Sequence, residues 1–317
     1  MTAFLITGRG ERKKLPALLE WELEYGCGTP CDSFRVVCLW NAANQTLPAE
    51  AARFEAFHEE ELVFTGVVDE CEVSLSARGW QLEINGRGLA ALLLDNEAQG
   101  TDYDLATIQD ILNAHVLPYG IQVREQDAFP AVAHFSVSHG SSEWSVLYQF
   151  ARYHAGVTPR FDRQGQLLLS RWPDSVSRVI HDRLPVTQLR IKHKRYGVLS
   201  EVWVRESGKN PAVHRISNEP FKAEGGLCRR MFTMPGKSTY QTMRYQGEYQ
   251  INKSEQDRLR LELDVALPFC AWPGEIIRLA LSAKEYNGLW RVAQSTVSMG
   301  SSGYHTRLEL IPPDTML

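Results

Sequence analysis

The sequence predicts an α+β chain that is mainly β: two related β-barrel or β-sandwich units with an α/β domain between them. Three observations lead there. Period-two alternation of apolar and polar residues dominates both ends of the chain. Helical periodicity is confined to the middle. A pattern near residue 73 returns near residue 297 at constant spacing. At about 100–200 residues per domain, two or three domains are expected. The divisions read as a first β unit over 1–97, open to completion by later strands, an α/β domain over 98–176 with two helices, and a second β unit over 177–317.

In chain order, Leu19, Trp21, Leu23 and Tyr25 interleave with Glu20, Glu22 and Glu24, a strand with one wet face. Phe34–Trp40 reads as a buried strand. Glu59-Glu60-Glu61 reads as a hairpin turn in water. Leu62–Leu75 and Trp80–Ile84 read as strands joined by the turn Ser76-Ala77-Arg78-Gly79. Leu89–Asp95 predicts a short helix. Leu105, Ile108, Ile111, Leu112 and Val116 share a helical face, ended by Pro118 and Gly120. Ser142 begins a second helix with Val146, Leu147, Phe150 and Ala151 on one side and Gly156 as its cap. Two strands then flank a turn at Asp162–Gly165. Gln188–Tyr196 and Val198–Arg205 read as a hairpin, and 207–250 contains an irregular segment. Arg258–Val265, Glu275–Leu281, Leu289–Ser298 and Tyr304–Ile311 complete a β-rich end.

The recurrence is specific in register. Val73-Ser74-Leu75 followed by Gly79-Trp80 matches Val297-Ser298-Met299 followed by Gly303-Tyr304, at a constant offset of 224 positions. The same offset places Val68 on Val292 and Ile84 on Leu308. Gly79 and Gly303 each supply the turn, and the next aromatic restarts the ladder. Duplication of one β unit explains this better than a chance likeness of amphipathic hairpins.

Composition and charge exclude several classes of function. A chain that is 44% hydrophobic and 23% charged is neither disordered, collagen-like nor coiled coil. A net charge of −4 gives no footprint of a strongly basic nucleic-acid binder. No run of about 18 apolar residues occurs, so no membrane insertion is expected. The opening MTAFLITGRGERKK puts apolar residues before basic ones, the reverse of a secretory signal, and predicts folding in a cytosol. Cys27, Cys31, Cys38, Cys71, Cys228 and Cys270 are then expected as free thiols. Cys27, Cys31 and Cys38 lack a second Cys/His pair at zinc-finger spacing.

Catalytic motifs fail on context. Gly86-Arg87-Gly88-Leu89-Ala90-Ala91 resembles a dinucleotide loop on paper, but its strand alternates and sits in an antiparallel hairpin. His134 and His139 lie on a strand and loop that would not converge them on a metal. Asp102 and Asp104 suit a glycosidase pair by type. They suit loop or cap roles better, Asp104 standing before a helix. Trp21, Trp40, Trp80 and Trp290 sit among apolar neighbours and read as core rather than a carbohydrate-binding row. No active site, cofactor site or metal site is nominated.

Three segments resemble a known family. LVFTGVVDE from Leu62 with WQLEINGRGLAALLLDNEA from Trp80 resembles the first barrel of the baseplate hub proteins of contractile phage tails, prophages and tailocins. WSVLYQFARYHAGVTPRFDRQGQL from Trp144 is similar to their middle α/β domain. WPGEIIRL from Trp272, LWRV from Leu289 and TRLELIPP from Thr306 are similar to their final barrel. The resemblance implies a structural, non-enzymatic hub joining the tail tube to the central spike, with no cofactor. It implies a homotrimer, contacts with tube, spike and other baseplate proteins, and DNA passing the lumen without specific binding. Its location would be the host cytoplasm during assembly and then the tail baseplate. Two like barrels on each of three chains present six similar units, which matches a six-fold tube to a three-fold spike. Interface candidates are Arg87 and Asp95, flanking the Gly-Arg-Gly segment, and the Glu20, Glu22 and Glu24 face, which would line a lumen. The alternatives are a tail-associated peptidoglycan hydrolase and a cell-wall carbohydrate-binding protein.

Overall fold

A strand with alternating chemistry buries one face and wets the other. The first sheet of the computed structural model is built this way. The structure describes residues 1–27, 30–41, 47–77, 79–207, 213–234, 239–256, 258–282 and 284–314. The chain forms two units: Met1–Arg171 with Ala266–Cys270 and Ser295–Thr306, and Trp172–Val265 with Ala271–Gln294 and Arg307–Leu317.

The first unit begins with β1 (Thr2–Thr7), β2 (Arg12–Lys14), β3 (Leu18–Gly26), β4 (Ser33–Leu39), α1 (Leu47–Glu50), β5 (Ala51–His58), β6 (Glu61–Ser76) and β7 (Gly79–Gly88). Its sheet order is β3-β4-β7-β6-β5-β1-β2. Trp21, Leu23 and Tyr25 point into the core while Glu20, Glu22 and Glu24 do not. Phe34 stacks on Phe54 with centroids 4.0 Å apart and planes 7° apart, and Phe64 closes on Phe34 at 5.3 Å. Burying each such ring contributes roughly 2–3 kcal/mol. The Tyr25 hydroxyl donates to the Val63 carbonyl at 2.7 Å, so its buried oxygen is satisfied.

Gly86 and Gly88, which imitate a phosphate loop in the sequence, are strand residues of β7. A Cβ on Gly86 would stand 2.1 Å from the Val67 carbonyl oxygen and 2.5 Å from Phe34 Cε1. The glycine therefore admits Phe34 against the strand crossing, where the β6–β7 register shifts between Val68 and Glu70. Trp80 corrects a second expectation. It is 48% exposed, beside Trp40 at 5.6 Å, because the core ends before the hairpin tip. Arg78, in the expected tip turn, lies outside the described residues.

An α/β segment of the same unit follows with α2 (Ala91–Leu94), β8 (Thr101–Ala106), α3 (Ile108–His115), β9 (Val123–Gln126), β10 (Val132–Val137), α4 (Glu143–Ala155), β11 (Arg160–Phe161) and β12 (Leu167–Leu169). α3 starts later than its periodicity predicts. Leu105 is an exposed residue of β8, and Thr107 forms a capping box with Asp110. Asp104 is accordingly a strand residue and not the cap. Ser142 caps α4, and Gly156 ends it in the left-handed region, as the sequence predicts. Ile111, Leu112, Trp144, Leu147, Phe150 and Leu167 form this domain's core.

The second unit contains β13 (Val176–His181), β14 (Val186–His193), β15 (Glu201–Arg205), β16 (Val213–Ser217), α5 (Glu219–Ala223), β17 (Arg229–Thr233), α6 (Tyr240–Gln256), β18 (Leu259–Val265) and β19 (Ile276–Ala280), and most of β20 (Gly288–Gly300) and β21 (Gly303–Ile311). β14 and β15 do not form the predicted hairpin. β14 pairs with β18, and β15 pairs with β16 and β17. The segment expected to be irregular holds β16, α5, β17 and most of α6, with 208–212 and 235–238 outside the described residues. α6 lies against β15 and β16, where a Cβ on Gly247 would stand 2.2 Å from Ile216 Cδ1. β15–β17 with α5 and α6 are thus an insertion between β14 and β18. Arg291 of the LWRV segment is buried and donates to Gly274 O at 2.9 Å, Pro173 O at 3.2 Å and Asp174 Oδ1 at 2.5 Å.

Removing that insertion exposes the duplication in full. The second copy has the order β14-β18-β21-β20-β19-β13, and the first has β3-β4-β7-β6-β5-β1. Each strand occupies the place of its counterpart, and the counterparts follow one another in the same chain order. Ile84 and Leu308, related by the sequence offset, are both fully buried. One pairing differs: β1 runs antiparallel to β5, whereas β13 runs parallel to β19.

Two stability predictions follow from local geometry. Glu59 (φ 47°) and Glu60 (φ 70°) form the two-residue β5–β6 turn with both residues in the left-handed region. Such a turn favours Asn-Gly, and each ordinary residue there costs roughly 1–2 kcal/mol. Glu59→Asn with Glu60→Gly therefore raises stability by about 1–2 kcal/mol in urea unfolding; an unchanged midpoint contradicts this. Asp32 accepts from the Gly26 amide at 3.1 Å. Burial pushes its carboxyl from 3.8 up to about 7, the Gly26 bond opposing and Glu24 adding. The fold thus favours the neutral acid, and this contribution falls as pH rises from 3.8 through about 7. Asp32→Asn should gain on wild type across that window and run parallel to it above. A difference independent of pH contradicts the assignment.

Candidate assembly surface

The wet face of the first sheet carries most of the sequence-predicted site residues. In β3, alternation turns Glu20, Glu22 and Glu24 away from the buried Trp21, Leu23 and Tyr25. In register beside them, Glu22 faces Arg35, Arg35 faces Asn85, and Asn85 faces Glu70. The next row brings Glu20, Val37, Glu83 and Glu72 side by side. With Asp69 at the bulge, acids outnumber the two arginines, Arg35 and Arg87, on this face.

The arginines hold it together. Arg35 donates from Nε and Nη2 to both Glu83 carboxylate oxygens, at 2.8 and 2.7 Å, and its Nη1 lies 3.8 Å from Glu20. That hydrogen bond is the main cause holding the Glu83 carboxyl below its ordinary range. Arg87 makes two such forks. It reaches Asp69 at 2.7 and 2.8 Å and Asp95 at 3.0 and 2.7 Å. The fork to Asp95 ties β7 to the end of α2, and the fork to Asp69 ties it to β6. At partly exposed positions each pair contributes no more than about 1 kcal/mol. Arg87 and Asp95 thus meet each other within the chain, whereas Glu20, Glu22 and Glu24 lie along a separate strand.

The second copy's wet face is different. Arg190–Glu262 at 2.8 Å and Arg307–Asp264 at 2.9 Å pair opposite charges across its strands, as do Arg260 and Glu309. The acid excess therefore belongs to the first copy.

One polar cluster has no signal in the sequence. His115 Nδ1 lies 2.6 Å from Glu143 Oε2, Tyr119 OH donates to Glu143 Oε1 at 3.0 Å, and Tyr103 OH lies 3.3 Å from His115 Nε2. His115 and Glu143 are 4% and 6% exposed. A substrate has no access to groups so covered. The cluster joins the end of α3 to the start of α4, and its members satisfy one another. His134 (φ 56°) lies in β10, whose register with β8 is unbroken, and Ser136 donates to Asp102. None of the six cysteines is in a disulfide, and the Cys31 thiol donates to Gly88 O at 3.2 Å. Among the described residues no three His, Cys, Asp or Glu side chains are grouped to hold a metal ion. None of the described helices is long and apolar enough to cross a membrane.

Residues 90–171 match the family model of the baseplate hub protein gp44-like, second domain. No curated protein sequence matches the chain. Among solved structures, the tail protein from Neisseria meningitidis MC58 aligns with a TM-score of 0.81 at 16% identity, over 99% of this chain and 97% of that one. The 43 kDa tail protein of prophage MuSo2 from Shewanella oneidensis gives a TM-score of 0.79 at 15% identity over all of both chains. An Escherichia coli component of the type VI secretion system, described as similar to the T4 phage tail proteins gp27 and gp5, gives 0.55 at 12% identity, over 93% of this chain and 73% of that one. Residues 90–171 are thus similar to the second domain of gp44-like baseplate hub proteins, in a chain that shares its fold with solved phage tail proteins.

Proposed function

We propose that this chain is the structural hub of a contractile-tail baseplate, joining the end of the tail tube to the central spike as a homotrimer. One observation carries the reading: six strands occur twice in the same spatial order and the same chain order. Three such chains present six similar sheets, so a three-fold object meets a six-fold tube with like surfaces. The α/β domain and the β15–β17 insertion occur once per chain and are suited to three-fold contacts, the spike among them. The work is assembly and conduction, with no bond made or broken.

The face bearing Glu20, Glu22 and Glu24 suits the wall of a channel for DNA. Its acid excess repels phosphate, so passing DNA is not trapped. Arg35 and Arg87 are each held by carboxylates within the chain and do not offer free cations to a backbone. The Arg87–Asp95 fork, at the junction with α2, would fix the height of the α/β domain against a neighbouring sheet.

The adaptor role is tested by mixing the purified chain with the tube and spike proteins of a contractile tail from the same source. Co-elution of all three in one complex is expected; binding to neither contradicts the role. Clear lysis of cell walls by the chain alone would instead favour a hydrolase. The channel role is tested with Glu20→Lys, Glu22→Lys and Glu24→Lys together. Particles should form at normal yield and release DNA several-fold more slowly, from retention on a basic wall; unchanged release removes the channel assignment.

A further inference from the structure

The insertion between β14 and β18 holds a three-stranded sheet with unlike faces. Its order is β16-β15-β17, so β15 is central. Val202 and Val204 of β15 turn to one side, fully buried in a cluster with Met243 and Ile251 of α6. Alternation sends Glu201, Trp203 and Arg205 to the other side. Register places Arg215 and Met231 beside Trp203, Val213 and Thr233 beside Arg205, and Ser217 and Arg229 beside Glu201. This second face is bare. Arg205, Arg215 and Arg229 are exposed, and so are Val213, at 48%, and Met231, at 59%.

Trp203 organises it. Arg215 Cζ lies 4.2 Å from the centre of the indole and Arg229 Cζ lies 4.4 Å from it. One arginine arrives from β16 and the other from β17, so the indole is bracketed by two guanidiniums. Stacking on an aromatic ring fixes the plane of a guanidinium and leaves its N–H rim available. Arg229 Nε donates to Glu201 Oε1 at 2.7 Å, and Arg205 Nε donates to Thr233 Oγ1 at 2.8 Å. Those bonds anchor both stems. Among the described residues Arg215 has no carboxylate partner, and the Nη groups of Arg205 and Arg229 have no hydrogen-bond acceptor. Three arginines thus share this face with one glutamate.

We propose that this face docks an acidic segment of a partner protein, its carboxylates on the N–H rims of Arg205, Arg215 and Arg229 and its apolar side chains against Val213 and Met231. Charge selects the occupant, and the planar forks suit carboxylates. Trp, Arg and Met are also the residue types enriched where protein interfaces concentrate their energy. Single-stranded nucleic acid is the competing polyanion. It binds by stacking bases on open aromatic faces, and a bracketed indole offers none. The inference goes beyond the hub reading and does not rest on it.

The test uses the full-length chain and the fluorescence anisotropy of a labelled peptide of glutamates with interspersed leucines. Saturable binding that weakens as salt rises is expected. The same peptide with glutamine for glutamate should bind about tenfold more weakly or worse. Arg205→Glu with Arg215→Glu should abolish binding and accept a peptide with lysine for glutamate instead. Arg183→Glu, at an exposed arginine outside the insertion, should leave binding unchanged. Trp203→Leu and Arg215→Lys keep every charge, so they separate an ordered ladder from charge alone. Each should weaken binding about threefold to tenfold, with the melting temperature of Arg215→Lys unshifted. Absence of saturable binding, an equal loss from Arg183→Glu, or full binding by both charge-conserving variants overturns the proposal. Tighter binding of an oligothymidine, lost in the same variants, overturns it in favour of a nucleic-acid platform. None of these failures touches the hub reading, which the co-elution with tube and spike decides separately.

Discussion

A strand edge exposes a row of amide donors and carbonyl acceptors that need partners. That requirement organises this molecule. Within the chain, the duplicated six-strand order meets it at one end, where β20 and the hairpin tip from Ser295 to Thr306 complete the first unit's sheet beside β3. Among the described residues, the outer end of β6 and the outer side of β14 have no such partner strand. Barrels and rings remove edges altogether, and solitary sheets with long bare edges invite aggregation.

The same sheet serves two masters through its two faces. Its inward face is apolar and tightly packed, with Phe34 stacked on Phe54, Phe64 edge-on to Phe34, and Gly66 and Gly86 admitting the close strand crossing. Its outward face is acidic in the first copy and charge-balanced in the second. Packing fixes the inward face through steric fit, so duplication conserves its pattern of buried positions, as Ile84 and Leu308 show. Nothing in packing fixes the outward face, and there the copies have separate chemistry. Arg35 and Arg87 keep the acidic rows from repelling one another apart, since like charges directly opposite weaken a sheet.

The sequence was legible where one face of an element is buried and the partner is local. β3, β18 and the β20–β21 hairpin show their alternation directly, and the offset of 224 pointed to the duplication through hairpin residues alone. Legibility failed where partners are distant. β14 adjoins β15 in the chain, yet pairs with β18 on the far side of the insertion. α6 carries few apolar residues, only Met243 and Ile251 being buried hydrophobics, so no clear stripe marks it. His115 and Glu143 are 28 positions apart and meet only because α3 and α4 pack together. Trp80 has a core residue's pattern but stands past the end of the core. Of the candidate surface, the Glu20, Glu22 and Glu24 face is plain from alternation, whereas Arg87's second partner, Asp69, is not.

The central claim is that two copies of one sheet in each chain give three chains the surface of six. Electron microscopy of the ring formed by this chain at the end of an assembled tail tests it most directly. The account predicts six similar sheet densities, evenly spaced at one radius and contributed alternately by β3–β7 and β14–β21. Two sheets at different radii or tilts, or a ring with only three-fold repetition in that layer, would contradict it.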